Sequence, residues 1–270
     1  MKIIKTIKEL KRNVSNINGL GFVPTMGGLH KGHLSLIKKS KVKCKKTLVS
    51  IYVNPTQFNN KKDFKNYPRN IKDDFNKLRK LNVDYVFVPK TSEIYKNKRK
   101  KKIFISNKKN ILCGKYRKGH FEGVVNIVDR FLKIIMPNYM FLGEKDFQQF
   151  FLIQNHVKKK FRVKIILCKT IRDKNFLALS SRNFLLSKKA IIVAGKISKK
   201  LKLFKNKIKK NNKNIKKISE YKKYLTEKFN INIDYLEVKN VKDLSSFKVN
   251  NEFKLFVADY IEKIRLIDNY

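Results

Sequence analysis

Residues 19–37 read GLGFVPTMGGLHKGHLSLI, and this stretch decides the fold. Gly19 to Pro24 is a short apolar run with the character of a buried strand, and Thr25-Met26-Gly27-Gly28 is a turn. From His30 to Lys41 the apolar Leu34 and Ile37 fall at helical spacing. A strand that turns through two glycines into a helix opens a βα unit. The helix start then offers free backbone N–H groups and the positive end of a dipole to an anion. His30 and His33, three apart on the first turn, add two imidazoles that can donate to phosphate oxygens and to charge developing at phosphorus. The whole chain has only four histidines, so a purely structural role for two in one tight cluster is the weaker reading.

Working outward, strand-like and helix-like patterns alternate through the first two-thirds of the chain. Thr47 to Val53 is a strand closed by Asn54-Pro55, and Tyr85 to Val88 is another. Tyr139 to Leu142 and Val163 to Leu167 continue the strand series. Ile71 to Leu81, Gly123 to Met136 and Asp146 to Lys159 carry helical periodicity, and Pro137 stops the second of these. Such alternation predicts a parallel α/β sheet. After about residue 172 the texture changes. Lysine-rich helical sequence runs from Lys188 to Phe229, with KNKIKKNNKNIKK its least globular part. Short strands are predicted at Ile233 to Val238, Phe253 to Val257 and Lys263 to Ile267. The expected organisation is an α/β domain over 1–172 and a small α+β domain with an antiparallel sheet over 173–270.

Composition narrows the class. Lys and Arg total 66 against 20 acids, a formal net charge of +46, yet only ten of the 66 are Arg. The lysines are scattered through every segment, beside abundant Asn and Ile and only four Ala. A nucleic-acid surface concentrates its charge and uses Arg for bidentate contacts. Dispersed Lys fits an AT-rich coding bias instead, so weak binding to polyanions is expected but no specific nucleic-acid partner. Cys44, Cys113 and Cys168 form no CxxC pair, which argues against a zinc module and for a reduced, cytoplasmic chain. No run approaches the roughly 18 apolar residues of a membrane span, and the N-terminus lacks a signal-peptide apolar region.

Further motifs follow the HKGH segment in order: VSIYVNPTQF at 49–58, DFKNYPR at 63–69, GHFEGVVNIV at 119–128, FLGEKDFQQ at 141–149, LSSRN at 179–183, and Arg265 to Asn269 at the end. Together they closely resemble pantothenate synthetase (pantoate–β-alanine ligase), a family of the HxGH nucleotidyltransferase superfamily. The resemblance covers nearly the whole chain. It implies a Rossmann-like first domain, a smaller lid domain, and a homodimer. It also implies ATP-dependent condensation of pantoate with β-alanine through a pantoyl adenylate, with AMP and pyrophosphate released.

By the same resemblance, ATP binds to Met26, Gly27, Gly28, Leu29, His30, Lys31, Gly32 and His33, with His33, His30 and Lys145 catalytic. Gly143, Glu144, Lys145 and Asp146 form a second nucleotide segment, and Leu179, Ser180, Ser181 and Arg182 a third, with Ile171 at the adenine position. Lys145 suits neutralisation of phosphate charge, and two hydroxyls with a guanidinium suit a phosphate clamp. Gln57 and Gln149 match positions that bind pantoate, Gln57 also β-alanine. An amide can bind a carboxylate or hydroxyl without adding charge. Mg²⁺ is implied alongside ATP, with Asp73 and Asp74 as the acidic pair near it, directly or through water. Two acids in the first turn of a helix also suit its dipole, so a plain helix start stays open for this pair. Lys31, Gly28, Leu179 and Lys118 stand where the family often has Glu, Ala, Met and Pro, and none of these changes removes a reacting group. The rival readings are another HxGH adenylyltransferase, which the NPTQF and GEKDFQQ segments oppose, a nucleic-acid binder, and a decayed enzyme.

Overall fold

A computed structural model describes residues 1–95, 103, 105–249 and 251–270. Six parallel strands form the first sheet: β1 (Lys2–Ile4), β2 (Leu20–Thr25), β3 (Lys46–Ile51), β4 (Tyr85–Phe87), β5 (Tyr139–Gly143) and β6 (Lys164–Cys168). Their order is β1-β4-β3-β2-β5-β6. The chain therefore winds one way from β2 through β3 to β4 and the other way from β5 to β6. Beyond the carboxyl ends of β2 and β5 lies the crevice where open α/β sheets bind ligands.

Helices connect the strands: α1 (Ile7–Val14), α2 (Lys31–Lys43), α3 (Lys61–Lys65), α4 (Ile71–Lys80), α5 (Thr91–Ile94), α6 (Cys113–Tyr116), α7 (His120–Ile135) and α8 (Phe147–Lys158). Helix α7 begins three residues before the predicted Gly123, because Gly119 supplies the left-handed turn (φ +79°) that starts it. Its apolar face covers the sheet. The Phe131 ring meets Phe22, Tyr52 and Phe87 edge-on at centroid distances of 5.8, 6.1 and 6.1 Å. The opposite face of the sheet buries Val23, Val49, Val86 and Phe141 against Leu29, Ile37 and Leu78.

The last third pairs β7 (Asn232–Asn240), β8 (Phe253–Ile261) and β9 (Ile264–Asn269) into an antiparallel sheet. Helices α9 (Lys188–Lys210) and α10 (Ile218–Phe229) pack on it, burying Leu201, Phe204 and Leu225 against Leu236, Leu255 and Val257. Lys263 lies in the β8–β9 turn rather than in the predicted strand, since Glu262 and Lys263 both take positive φ in a two-residue hairpin. The lysine-rich 205–217 stretch is folded: its first part completes α9, and Ile208 there is wholly buried. One apolar residue per turn suffices to hold a helix whose other faces are solvated. Helix α8 meets the antiparallel sheet where the Phe147 and Phe256 rings lie 6.0 Å apart. Among the described residues, no helix is long and apolar enough to cross a membrane.

Candidate active site

The β2–α2 connection can be built atom by atom. Gly27 and Gly28 take φ of +79° and +61°, conformations that cost a side chain with a Cβ but not glycine. They turn the chain so that its amides point at α4, where Asp74 is almost wholly buried. The Asp74 carboxylate accepts from the amides of Gly28 at 3.0 Å and Leu29 at 2.7 Å, one on each oxygen. From the next turn of α4, Lys77 donates to the Leu29 carbonyl at 2.7 Å and to Asp73 at 2.6 Å. Helix α4 therefore grips the turn from below through both its amides and its carbonyl.

The two histidines then cap α2 reciprocally. His30 Nδ1 accepts from the Gly32 amide at 3.1 Å, and His33 Nδ1 accepts from the His30 amide at 3.5 Å. This is the capping-box arrangement with imidazoles in place of the usual hydroxyl and carboxylate. An imidazole whose Nδ1 accepts a hydrogen bond carries its proton on Nε2 when neutral. Burial, reinforced by the neighbouring His33 and by Lys145, lowers the pKa of His30 to about 3. Burial and then Lys145 and Lys77 lower that of His33 to about 4. Both rings are thus neutral Nε2–H donors at pH 7, with ring centroids 4.1 Å apart.

Around them lies a cavity of about 270 Å³, which Met26, His30, Gly32 and His33 line from the β2 side. Gly143, Lys145, Asp146 and Gln149 line it from the end of β5, and Gln57 from the end of β3. Ile171, Leu179, Ser180, Ser181 and Arg182 close it from the segment leading to α9. Ser181 donates to the Gly28 carbonyl at 3.0 Å, joining that segment to the glycine turn, and Arg182 pairs with Asp63 at 2.9 Å. From β9, Asn269 donates its amide to the carbonyls of Glu144 and Lys145 at 2.9 and 2.8 Å, fixing the turn that carries Lys145.

The other named residues sit elsewhere. Gly27, Gly28 and Leu29 shape the turn, Leu29 pointing into the core, while Lys31 is exposed. Glu144 pairs with Lys254 at 2.8 Å. Asp73 and Asp74 are engaged by Lys77 and by the loop amides as described. Among the described residues no group of three or more His, Cys, Asp or Glu is placed to hold a metal ion.

Close packing explains how Gln57 is held. A Cβ at Gly123 would lie 2.4 Å from the Thr56 carbonyl, so only glycine lets α7 come this near the Asn54–Gln57 turn. Buried Asn54 donates to the Gly123 carbonyl at 3.1 Å and to Gln57 Oε1 at 3.3 Å, while Gln57 Nε2 lies 2.8 Å from Met26 Sδ. The adjacent pair Gln148-Gln149 divides its labour. Gln148 satisfies the Cys113 amide and the Lys108 and Ile111 carbonyls, and Gln149 faces the cavity with no protein partner among the described residues.

Among the lining residues not singled out from sequence are Arg117 and His120. His120 Nδ1 lies 2.7 Å from the Gln57 carbonyl, and its Nε2 lies 2.9 Å from Arg117 Nη1. Because a guanidinium can only donate, His120 Nε2 accepts and Nδ1–H donates to Gln57. The only sequence signal for His120 was its place in the GHFEGVVNIV segment.

This geometry can be set beside known proteins. A family profile described as Pantoate-beta-alanine ligase matches residues 2–270. The pantothenate synthetase of Pseudothermotoga lettingae is 38% identical over 275 residues, covering 100% of this chain and 98% of the relative. That of Azobacteroides pseudotrichonymphae is 40% identical over 282 residues, covering 100% and 99%. Among solved structures, pantothenate synthetase from Thermus thermophilus superposes with a TM-score of 0.87 at 29% identity, covering 100% and 99% of the two chains. A pantoate-β-alanine ligase from Francisella tularensis, solved in complex with β-γ ATP and β-alanine, gives 0.82 at 37% identity, covering 100% and 97%. With match, length and fold agreeing from end to end, this chain belongs to the pantoate–β-alanine ligase family, and it is a ligase.

Proposed function

We propose that the chain condenses pantoate with β-alanine through a pantoyl adenylate. The observation that carries this reading is the pair of capped histidines. Backbone amides occupy Nδ1 of both rings, so two neutral Nε2–H groups are fixed beside Lys145 in one cavity. Donors held before the reaction begins stabilise charge developing on transferred phosphate at no further reorganisation cost.

The pantoate carboxylate attacks the α-phosphorus of ATP in line, held by the Gln57 and Gln149 amides. His33 and His30 donate to the phosphate oxygens, Lys145 neutralises charge, and Ser180, Ser181 and Arg182 clamp the departing pyrophosphate. The neutral amine of β-alanine then attacks the acyl carbon, the acyl–phosphate C–O bond breaks, and AMP leaves as the nitrogen loses its proton. Mg²⁺ arriving with ATP would offset the charge of the triphosphate. Both oxygens of Asp74 already accept from loop amides, which supports a loop-shaping role for Asp74 and leaves Asp73 as the carboxylate that would meet the ion, through water.

In this reading residues 1–172 form the substrate-binding domain and 173–270 a lid that brings Ser181 and Arg182 to the nucleotide and shields the adenylate from water. The chain works as a homodimer in the cytoplasm. Exchange of labelled pyrophosphate into ATP that requires pantoate, followed by AMP formation on adding β-alanine, is the expected result. ADP as product, or exchange without pantoate, would refute it.

A further inference from the structure

Among the cations lining the cavity, Arg117 has no part in the adenylation step. Arg117 lies between α6 and α7, next to the Gln57 turn, and lines the same cavity as Gln57 and Lys145. Its guanidinium is held by two neutral acceptors, His120 Nε2 at 2.9 Å and the Gln57 carbonyl at 3.4 Å. Among the described residues no carboxylate lies within ion-pair distance of it. Its neighbours differ: Arg182 holds Asp63 at 2.9 Å, and Arg265 holds Asp234 at 2.8 Å. Burial, and then the nearby charge of Arg182, depress the Arg117 pKa to about 10, as expected of a cation with no anion beside it. A half-buried guanidinium without a counter-ion is costly unless an anion arrives to complete it.

His120 tightens the argument. Its Nδ1–H is committed to the Gln57 carbonyl at 2.7 Å, so its Nε2 lone pair faces Arg117 and fixes the orientation of the fork. Burial and the Arg117 charge hold the His120 pKa at about 3, so the ring stays a neutral acceptor. Arg117 is thus aimed by a built scaffold, with the remaining N–H groups of its fork unspent.

Resting on the function proposed above, we infer that Arg117 binds the carboxylate of the amine substrate, β-alanine. Of the two substrate carboxylates, pantoate's must stay reactive and reach the α-phosphorus beside His30, His33 and Lys145. A bidentate guanidinium would draw charge from that nucleophile and hold it away from phosphorus. The carboxylate of β-alanine does not react, keeps its charge throughout, and needs a planar two-pronged partner in a site sheltered from water. Anchored there, the substrate keeps its amine free to reach the acyl carbon of pantoate, which Gln57 holds next door.

Arg117→Gln and Arg117→Lys separate this role from others. In Arg117→Gln the KM for β-alanine should rise roughly 10- to 100-fold, the worth of a lost charge-assisted contact. Arg117→Lys, which keeps the charge but not the fork, should fall between that variant and the wild type. Pantoate-dependent pyrophosphate exchange, measured without β-alanine, should stay within about twofold of wild type, since that half-reaction never meets the amine. β-Alaninamide, which lacks the carboxylate, should be used equally well by wild type and Arg117→Gln. Loss of exchange in parallel with the overall reaction would overturn the inference in favour of a phosphate or pantoate role. Equal losses with β-alanine and β-alaninamide would overturn it in favour of a structural one. A wild-type chain with no pantoate-dependent exchange would instead defeat the parent reading, and this one with it.

Discussion

Asp74→Asn tests what α4 does for the nucleotide loop. In the native chain each Asp74 oxygen takes one amide, Gly28 at 3.0 Å and Leu29 at 2.7 Å, and the side chain is almost wholly buried. Asparagine keeps one acceptor but turns an NH₂ group toward the other amide, leaving two donors face to face. One charge-assisted bond is lost and one buried amide is left unpaired, a cost of about 1.5–3 kcal/mol. If the loop relaxes in the free enzyme and must be re-formed around ATP, that cost appears as a 10- to 150-fold weaker ATP affinity, roughly. Calorimetric titration of ATP into the variant, once with Mg²⁺ and once with a chelator, measures it directly. Pantoate affinity should change much less, because Gln57 and Gln149 lie on other elements. A loop-shaping carboxylate predicts the same fold loss under both conditions. Should the loss vanish in the chelator, Asp74 would act through the metal, and the reasoning from its two hydrogen bonds would be wrong.

Other consequences are equally open to measurement. His33→Ala should slow pantoate-dependent exchange by about 10² to 10³, the usual effect of removing one fixed transition-state donor, while thermal melting shifts little because its capping bond is long at 3.5 Å. Gln57→Glu sets a carboxylate against pantoate's own and should weaken pantoate binding at least tenfold by titration, since about 1.4 kcal/mol is a factor of ten. His30, His33 and His120 have folded pKa values of about 3, 4 and 3, so between those values and 6.5 the unfolded chain binds more protons than the folded one. Their contribution to stability is therefore greatest above pH 6.5 and should fall on acidification by roughly 2 kcal/mol per histidine at pH 5. Buried Asp259, its pKa raised to about 7, works in the opposite sense and offsets part of this, leaving a net loss that denaturant titrations at pH 7 and pH 5 would show. Binding to a random-sequence RNA should be weak and mostly gone by about 200 mM salt in a filter assay, as scattered lysines and counterion release require.

The parts of the site legible in the sequence are those whose partners are close in the chain. The glycine turn, the capping pair His30 and His33, and the strand end before Asn54 are local patterns, and periodicity alone places β2, β3, β5 and α7. Gly143 to Asp146 and Leu179 to Arg182 became readable only through the order of the motifs, since SSR by itself carries no signal. What could not be read depends on contacts between distant elements. Asp74 has the composition of a metal or dipole residue, and only packing of α4 under the loop shows its oxygens taken by Gly28 and Leu29. Gln148 and Gln149 are identical in type, adjacent and both line the cavity, and only the folded contacts show that Gln148 is spent on the Cys113, Lys108 and Ile111 backbone. Arg117 looks like one more cation among 66 until its neighbours prove to be neutral. The lysine-rich 205–217 stretch misled because Ile208 and Ile215, which anchor it, are only two apolar positions among many charges.

The bond from Ser181 to the Gly28 carbonyl spans 153 residues of chain. The two sides of the proposed nucleotide cradle therefore come from segments far apart in the chain. The capped start of α2 is built from neighbours in sequence and the glycine turn is held by α4, whereas the serine–arginine segment requires a much longer loop to close. Closure over such a length costs little extra free energy per added residue but much time, because distant segments must find one another before any contact rewards them. Without that contact the histidine turn has nothing opposite it. It could meet ATP without being able to hold the triphosphate in position for transfer. Competence for the reaction in this sense depends on a contact between segments far apart in the chain, because that contact completes the cradle.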